Sequence, residues 1–271
     1  MVKIAMLGAS GRMGRAVLSC VAESKDFTLV GAVTEPGDRA LGRDAGENAG
    51  VRALGVPLTD DRSHGLDGAQ VAIDFTLPAA LQANVRACAE RGTALVIGTT
   101  GLNDKHFAAL KSAAAEIPLV YARNMSIGVN VFMALVSRAA KALGPDFDAE
   151  VLEAHHRQKV DAPSGTALEL GERIASARGR SLEDVAVHGR HGHTGPRAPG
   201  TIGFSVIRAG NIVGDHRVLF AAPEESVELA HHAVDRKSFA RGALRAARWV
   251  AGRAPGLYSM ADVLGFANDS Y

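Results

Sequence analysis

Cysteine, aromatic side chains and any excess of one charge are scarce in this 271-residue chain. Its two cysteines, Cys20 and Cys88, exclude a disulfide framework and a Cys-x-x-Cys metal pair, and both sit in helix-like apolar stretches as small hydrophobes. Aromatics make up 5% while hydrophobic residues make up 47% and glycines number 30, a profile that suits tight strand-to-helix turns better than a β-sandwich. With 30 Lys+Arg against 29 Asp+Glu, the net charge of +1 gives no field for gathering nucleic acid or an anionic membrane. No apolar run reaches transmembrane length, and the N-terminus reads as a strand entering a turn rather than as a leader. The expectation is a cytoplasmic protein with neither nucleic-acid nor membrane partners, long enough for two domains.

What is present begins with Val2 to Leu7, an apolar run ending in Gly8, Ala9, Ser10, Gly11, Arg12, Met13 and Gly14, then helical periodicity from Arg15. Strand, glycine turn and helix form the context in which such glycines bind a dinucleotide. Gly8 permits the turn, Gly11 admits a pyrophosphate, and Gly14 lets the helix pack closely. A second strand, 28–33, stops just short of Glu35, and an acid about 20 residues past the glycines is where a ribose hydroxyl partner belongs. Strands follow at 69–75, 94–97 and 119–122, with helices at 79–91 and 103–116 between them. Repeated βα units predict a parallel sheet with ligands beyond its carboxyl ends. Phe75–Thr76, Gly98–Thr99–Thr100 and Ala122–Arg123–Asn124–Met125 fall at such ends.

After a helix at 131–143 the pattern changes. Residues 147–154 alternate like a half-buried strand, 164–177 read as a helix, 201–207 and 211–220 as a hairpin, and 227–234 as a further strand. Residues 187–200 form a long polar loop, either a substrate lid or a surface contact loop. An alanine-rich helix at 238–252 and a short terminal helix at 257–264 look like a return to the first domain.

The densest chemistry lies between Glu153 and Ala167. His155, His156, Arg157 and Lys159 share a short loop that runs into Pro163, then Ser164 as a helix cap, with Gly165 and Thr166 in the first turn. Free N–H groups at a helix start attract anions. A histidine titrating near neutrality beside a lysine is suited to delivering protons to an anionic substrate.

This stretch, E-A-H-H-R-x-K-x-D-A-P-S-G-T-A, together with V-I-G-T-T-G at 96–101, P-G-T-I-G-F at 199–204 and R-A-G-x-I-V-G-x-H at 208–216, resembles the dihydrodipicolinate reductase family over essentially the whole length. The resemblance implies reduction of a cyclic dicarboxylate imine by NADH or NADPH, in lysine and diaminopimelate biosynthesis. It implies an α/β fold: a Rossmann-type dinucleotide-binding domain of residues 1–127 plus 238–271, and an α+β domain of 128–237 that binds substrate and pairs into a homotetramer. By the same resemblance His155 and Lys159 are the proton-handling residues, and His156, Gly165 and Thr166 contact substrate carboxylates. Gly8 to Met13, Glu35, Gly98 to Thr100 and Ala122 to Met125 hold the cofactor, and no metal takes part.

Pro36 stands where many members carry an arginine, which implies that NADH is used at least as well as NADPH. Arg123 and Met125 also depart from the family pattern. Three rival readings are another two-domain nicotinamide dehydrogenase, a dinucleotide sensor without catalysis, and a histidine metal hydrolase. The first gives no reason for the histidine–lysine loop, intact His155 and Lys159 argue against the second, and the histidine spacing, with no acid set to complete a site, argues against the third.

Overall fold

The computed structural model describes residues 1–266; residues 267–271, which the sequence reading assigns to the first domain, lie outside the described residues. The chain divides into two compact units, one of residues 1–127 with the segment from 236 onward, the other of residues 128–235.

The first unit runs β1 (Val2–Leu7), α1 (Arg12–Glu23), β2 (Phe27–Val33), α2 (Ala45–Asn48), β3 (Leu58–Thr59), α3 (Arg62–Gly65), β4 (Val71–Asp74), α4 (Pro78–Glu90), β5 (Ala94–Ile97), α5 (Asp104–Ala113) and β6 (Pro118–Tyr121). The second unit is built on α6 (Ile127–Leu143), β7 (Asp148–His155), α7 (Gly165–Ala177), α8 (Leu182–Val185), β8 (Ala186–Val187), β9 (Ile202–Arg208), β10 (Gly214–Ala221) and β11 (Ser226–Ala233). The chain then returns to the first unit with α9 (Lys237–Val250), β12 (Gly256–Tyr258) and α10 (Met260–Leu264).

The first sheet is wholly parallel in the order β12-β6-β5-β4-β1-β2-β3, doubly wound about β1. Its central strands read as unbroken apolar runs because helices cover both faces. Ile4, Met6, Ile73, Val96 and Val120 face the side packed by α1 and α9; Ala5, Leu7, Ala72, Leu95 and Ile97 face α4 and α5. Gly8 has φ +82°, and a β-carbon there would stand 2.8 Å from the Phe75 carbonyl oxygen. A β-carbon on Gly14 would stand 2.2 Å from the Gly8 carbonyl oxygen, so α1 packs this closely only on glycine.

The second sheet is mixed, in the order β11-β10-β7-β9-β8, with α6 and α7 on one face. Val129, Phe132, Met133 and Val136 of α6 and Leu170 and Ile174 of α7 close over Val151, Phe204, Val218 and Phe220. The expected hairpin between 201–207 and 211–220 does not form. The turn at Arg208 to Gly210 is real, but β7 lies between the two strands, parallel to β9 and antiparallel to β10. The connection therefore arches over the carboxyl end of β7, where Ala209 N–H donates to the His155 carbonyl and Arg157 N–H to that of Gly210. The expected terminal helix at 257–264 also begins differently. Gly256 to Tyr258 extend along the free edge of β6, with Leu257 opposite Leu119, and the helix starts only after the Ser259 cap.

Candidate functional site

Strand β7 alternates strictly, so Ala149, Val151, Glu153 and His155 all point to the helix-covered face. The last two are polar, and they meet: His155 Nδ1 lies 2.5 Å from Glu153 Oε2. The carboxylate of Glu153, 3% exposed, is fully used. Arg208 of β9 donates through Nη1 to Oε2 and through Nη2 to Oε1, both at 2.8 Å, and Ser164 N–H donates to Oε1 at 2.9 Å. Burial pushes the Glu153 pKa up, but the Arg208, His155 and Ser164 hydrogen bonds outweigh it and hold the group below the usual carboxylate range. For His155, burial pulls the pKa below 6.5; Glu153 opposes this, while the nearby charges of Lys159 and Arg208 add to it.

Ser164 caps α7, its hydroxyl accepting from Ala167 N–H at 3.2 Å, and the Ala162–Pro163 peptide before it is cis. Gly165 and Thr166 occupy the first turn, which carries no acid, and a β-carbon on Gly165 would meet nothing within 4 Å. His156 is half-buried in the turn after β7. The ammonium of Lys159 lies 2.8 Å from each carboxylate oxygen of Asp161. His216 of β10 completes the group: its ring centroid is 5.1 Å from that of His155, and its Nε2 is 3.2 Å from Ser164 Oγ. Gly214 lines the same space, where a β-carbon would sit 3.1 Å from His155 Nε2.

Burial, followed by the charge of His155, brings the His216 pKa down to about 3. His216 is therefore neutral in the folded protein across the range in which an unfolded histidine, with a pKa near 6.5, takes up a proton. Its contribution to stability is complete above pH 6.5 and is lost as pH falls toward 3, at about 1.4 kcal/mol per pH unit. Urea unfolding at a series of pH values is expected to show this slope, and His216→Gln is expected to flatten it by close to one proton. An unchanged slope in the variant would remove His216 from the account.

The residues expected from sequence to hold the cofactor gather at the carboxyl ends of the first sheet. Gly8 to Gly11 form the turn after β1, and Gly11 caps α1 without a side-chain hydrogen bond and with no acid in the helix's first turn. That glycine-lined start, closed to any β-carbon at Gly8, fits a pyrophosphate. Ala9 is buried, Met13 half-buried and Arg12 exposed. Glu35 is exposed just beyond β2. Between it and the glycine turn lies Asp38, whose Oδ2 accepts from Ser10 Oγ at 2.5 Å and Thr34 Oγ1 at 2.8 Å and whose Oδ1 accepts from Ala40 N–H at 2.8 Å. These bonds, Ser10 first, hold its carboxyl below the ordinary range.

Across the sheet, fully buried Asp74 gathers Thr76 Oγ1 (2.6 Å), Asn84 Nδ2 (2.9 Å) and Thr99 Oγ1 (3.1 Å), fixing the ends of β4 and β5 together. Gly98 follows β5, Thr100 is exposed beside it, and Ala122 N–H donates to the Ile97 carbonyl. Beyond Ala122, Arg123 is exposed, Asn124 accepts from Ser126 N–H and Met125 is buried.

Sequence reasoning missed Glu153, Arg208, His216, Asp38 and Asp74 as site residues and took Ser164 only as a helix cap. Glu153 stands two residues before His155 on one strand face, which was the available signal, and Arg208 and His216 close the R-A-G-x-I-V-G-x-H stretch. The 187–200 loop is tied down far from the imidazole. Arg190 grips Glu150 with two bonds of 3.1 and 3.0 Å, and Arg197 bonds Glu150 and Asp148 at 3.1 and 2.6 Å. These anchors lie roughly 17–23 Å along β7 from His155 and hold Arg190 and Arg197 away from it. Among the described residues no cluster of three or more His, Cys, Asp or Glu could hold a metal, and no helix is long and apolar enough to cross a membrane.

Residues 2–125 match the family model described as dihydrodipicolinate reductase, N-terminus, and residues 128–264 the one described as dihydrodipicolinate reductase, C-terminus. The chain belongs to the dihydrodipicolinate reductase family. It is an NAD(P)H-dependent oxidoreductase of that family, with the Rossmann-type first unit and α+β second unit anticipated from sequence.

Among dihydrodipicolinate reductases it is 55% identical to the 4-hydroxy-tetrahydrodipicolinate reductase of Alkalilimnicola ehrlichii, over 97% of this chain and 98% of that one. It is 53% identical to the protein of the same name from Thiobacillus denitrificans, again over 97% and 98%. A dipicolinate-bound dihydrodipicolinate reductase from Paenisporosarcina superposes with a TM-score of 0.75 over 97% of this chain and 98% of that one; at 24% identity this bears on the fold alone.

Proposed function

We propose that His155 transfers the proton in reduction of a cyclic dicarboxylate, the 4-hydroxy-tetrahydrodipicolinate named for the relatives, and that the start of α7 holds a substrate carboxylate. The observation that carries this reading is a buried imidazole set beside an uncapped-by-acid helix N-terminus. Its Nδ1 is committed to Glu153 and its Nε2 faces the space lined by Gly214. A bound reduced nicotinamide would supply the hydride that reduces the ring. The chain's own groups hold the ring and deliver the proton that neutralises the charge the hydride leaves behind.

In the free protein His155 is held toward its neutral form, so proton uptake accompanies binding. A doubly negative ring brought against the imidazole favours the imidazolium, and Nε2–H then donates. Lys159, paired with Asp161 until a carboxylate competes for it, is the second proton-handling group, and His156, Gly165 and Thr166 bind the carboxylates. The names of the 55%- and 53%-identical relatives, both 4-hydroxy-tetrahydrodipicolinate reductases, support this ligand class. The direct test is nicotinamide absorbance in the presence of the upstream synthase product, with titration of dipicolinate as a dead-end ligand.

On the cofactor side Gly8 to Met13 would cradle the pyrophosphate, Glu35 would take the ribose hydroxyls, and Gly98 to Thr100 with Ala122 to Met125 would hold the nicotinamide half. Pro36 supplies no cation for a 2′-phosphate, and Asp38 adds a pinned negative charge near Glu35. The NADH-to-NADPH ratio of kcat/KM is expected to be at or above one. Asp38→Asn is expected to raise NADPH use about fivefold, from a charge repulsion of about 1 kcal/mol at 4 Å in water. Steady-state kinetics with both cofactors check this; a strong wild-type preference for NADPH would remove it.

The homotetramer belongs to the same proposal. Among the described residues no helix covers the second sheet's outer face, which presents Leu152, Ile207 and Leu219 among Asp215, Arg217 and His232, with Ile207 55% exposed. A second copy of this sheet would cover it, as sedimentation would show. A cytoplasmic setting, where the reduced nicotinamide pool lies, completes the reading.

A further inference from the structure

We infer that Glu153 is the positioning residue for proton transfer: it fixes the nitrogen of His155 that carries the resting proton and ties the imidazole to the start of α7, while Arg208 keeps Glu153 charged. The inference rests on the proposed role of His155 and goes one layer behind it.

Three observations carry it. First, the 2.5 Å contact between Glu153 Oε2 and His155 Nδ1 commits that nitrogen as the donor, because the ionised carboxylate can only accept. Nε2 is left as the exchanging atom on the side lined by Gly214. A histidine with no such partner distributes its proton between two tautomers and lets the ring flip. Second, the other oxygen, Oε1, accepts the N–H of Ser164, the cap residue of α7. One side chain thus sets the distance between the proton-transferring imidazole and the N–H groups proposed to hold a carboxylate.

Third, Arg208 takes both oxygens at 2.8 Å and also donates to the Asp161 carbonyl at 2.6 Å. Arg208 stands directly opposite His155 in the β7–β9 register, so the clamp is built from paired strands rather than from a loop. Its charge keeps Glu153 from competing for the proton that His155 must pass on. The groups facing the imidazole are thus Glu153 from its own strand, Arg208 from β9, His216 from β10 and Lys159 from the following loop.

The test pairs Glu153→Gln with His155→Gln in the full-length protein, alongside 15N spectra of the histidine ring at neutral pH. The wild-type His155 is expected to carry its proton on Nδ1. In Glu153→Gln the tautomer population is expected to shift toward Nε2–H, with kcat lowered about 100-fold and dinucleotide affinity within about twofold of wild type. Wild-type His155 protonated on Nε2 would overturn the inference without any variant, which covers the case of Glu153→Gln failing to fold. Near wild-type kcat in Glu153→Gln while His155→Gln is inactive would overturn the positioning role and leave His155's own role standing. Near wild-type turnover in His155→Gln would instead remove the proposed function, and the tautomer spectra would still decide what Glu153 does to the ring.

Discussion

Turnover is expected to fall by two to four orders of magnitude in His155→Gln, the range that a positioned general acid contributes. Dinucleotide affinity should stay within about twofold, because every residue proposed to bind the cofactor belongs to the other compact unit. Glutamine keeps a donor within reach of Glu153 and fills a similar volume, so the loss reports proton transfer rather than collapse of the site. Lys159→Ala should also cut turnover, with a larger share appearing in KM for the dicarboxylate, since an ammonium freed from Asp161 binds as well as donates. Single-turnover absorbance with saturating dinucleotide separates the two. A His155→Gln enzyme within tenfold of wild type would leave the imidazole without the role proposed for it.

The second large effect is on stability. Arg208→Ala strips a nearly fully buried carboxylate of its only guanidinium, and breaking one side of a buried pair costs roughly 3–5 kcal/mol. Against a total stability of roughly 5–15 kcal/mol this is a large fraction. Arg208→Lys should lose less, because it keeps the charge while giving up the second bond. The sign with pH follows from Glu153, whose folded-state pKa is lowered. Its stabilisation is present above its unfolded value near 4.5 and disappears as pH falls through the folded one. In Arg208→Ala burial acts with less opposition, the folded-state pKa of Glu153 rises toward its unfolded value, and this acid-side loss should shrink. Urea unfolding of both variants at neutral and mildly acidic pH measures the pair. A loss under about 1 kcal/mol in Arg208→Ala would mean that water or another donor satisfies Glu153.

Local signals were the readable ones. The glycine turn, the βα repeats and the helix cap at Ser164 are each specified by residues a few positions apart, and they lie where spacing puts them. The apolar runs of β1, β4 and β5 announce burial on both faces. Pairings between distant segments were not readable. A turn at Arg208 to Gly210 between two apolar runs looks the same whether the strands join each other or straddle a third, and only β7 filling the gap decides between them. Leu257 fits a helical spacing as well as an edge strand, and the open side of β6 settles that too. Arg208 meets Glu153 across a parallel register set by sheet packing, at a sequence separation that no periodicity reports. Alternation in β7 marks a half-buried strand but does not report which partners Glu153 meets on its inward face.

The order of the second sheet puts β7 in the middle, two strands in from either margin. Opening by local fraying starts at the rims, at two-residue β8 and at β11, and reaches the centre only with global unfolding. Amide hydrogens of β7 should therefore exchange among the slowest in that unit. Substitutions along the outer strands should then loosen the rims of the sheet well before they disturb the geometry around the imidazole.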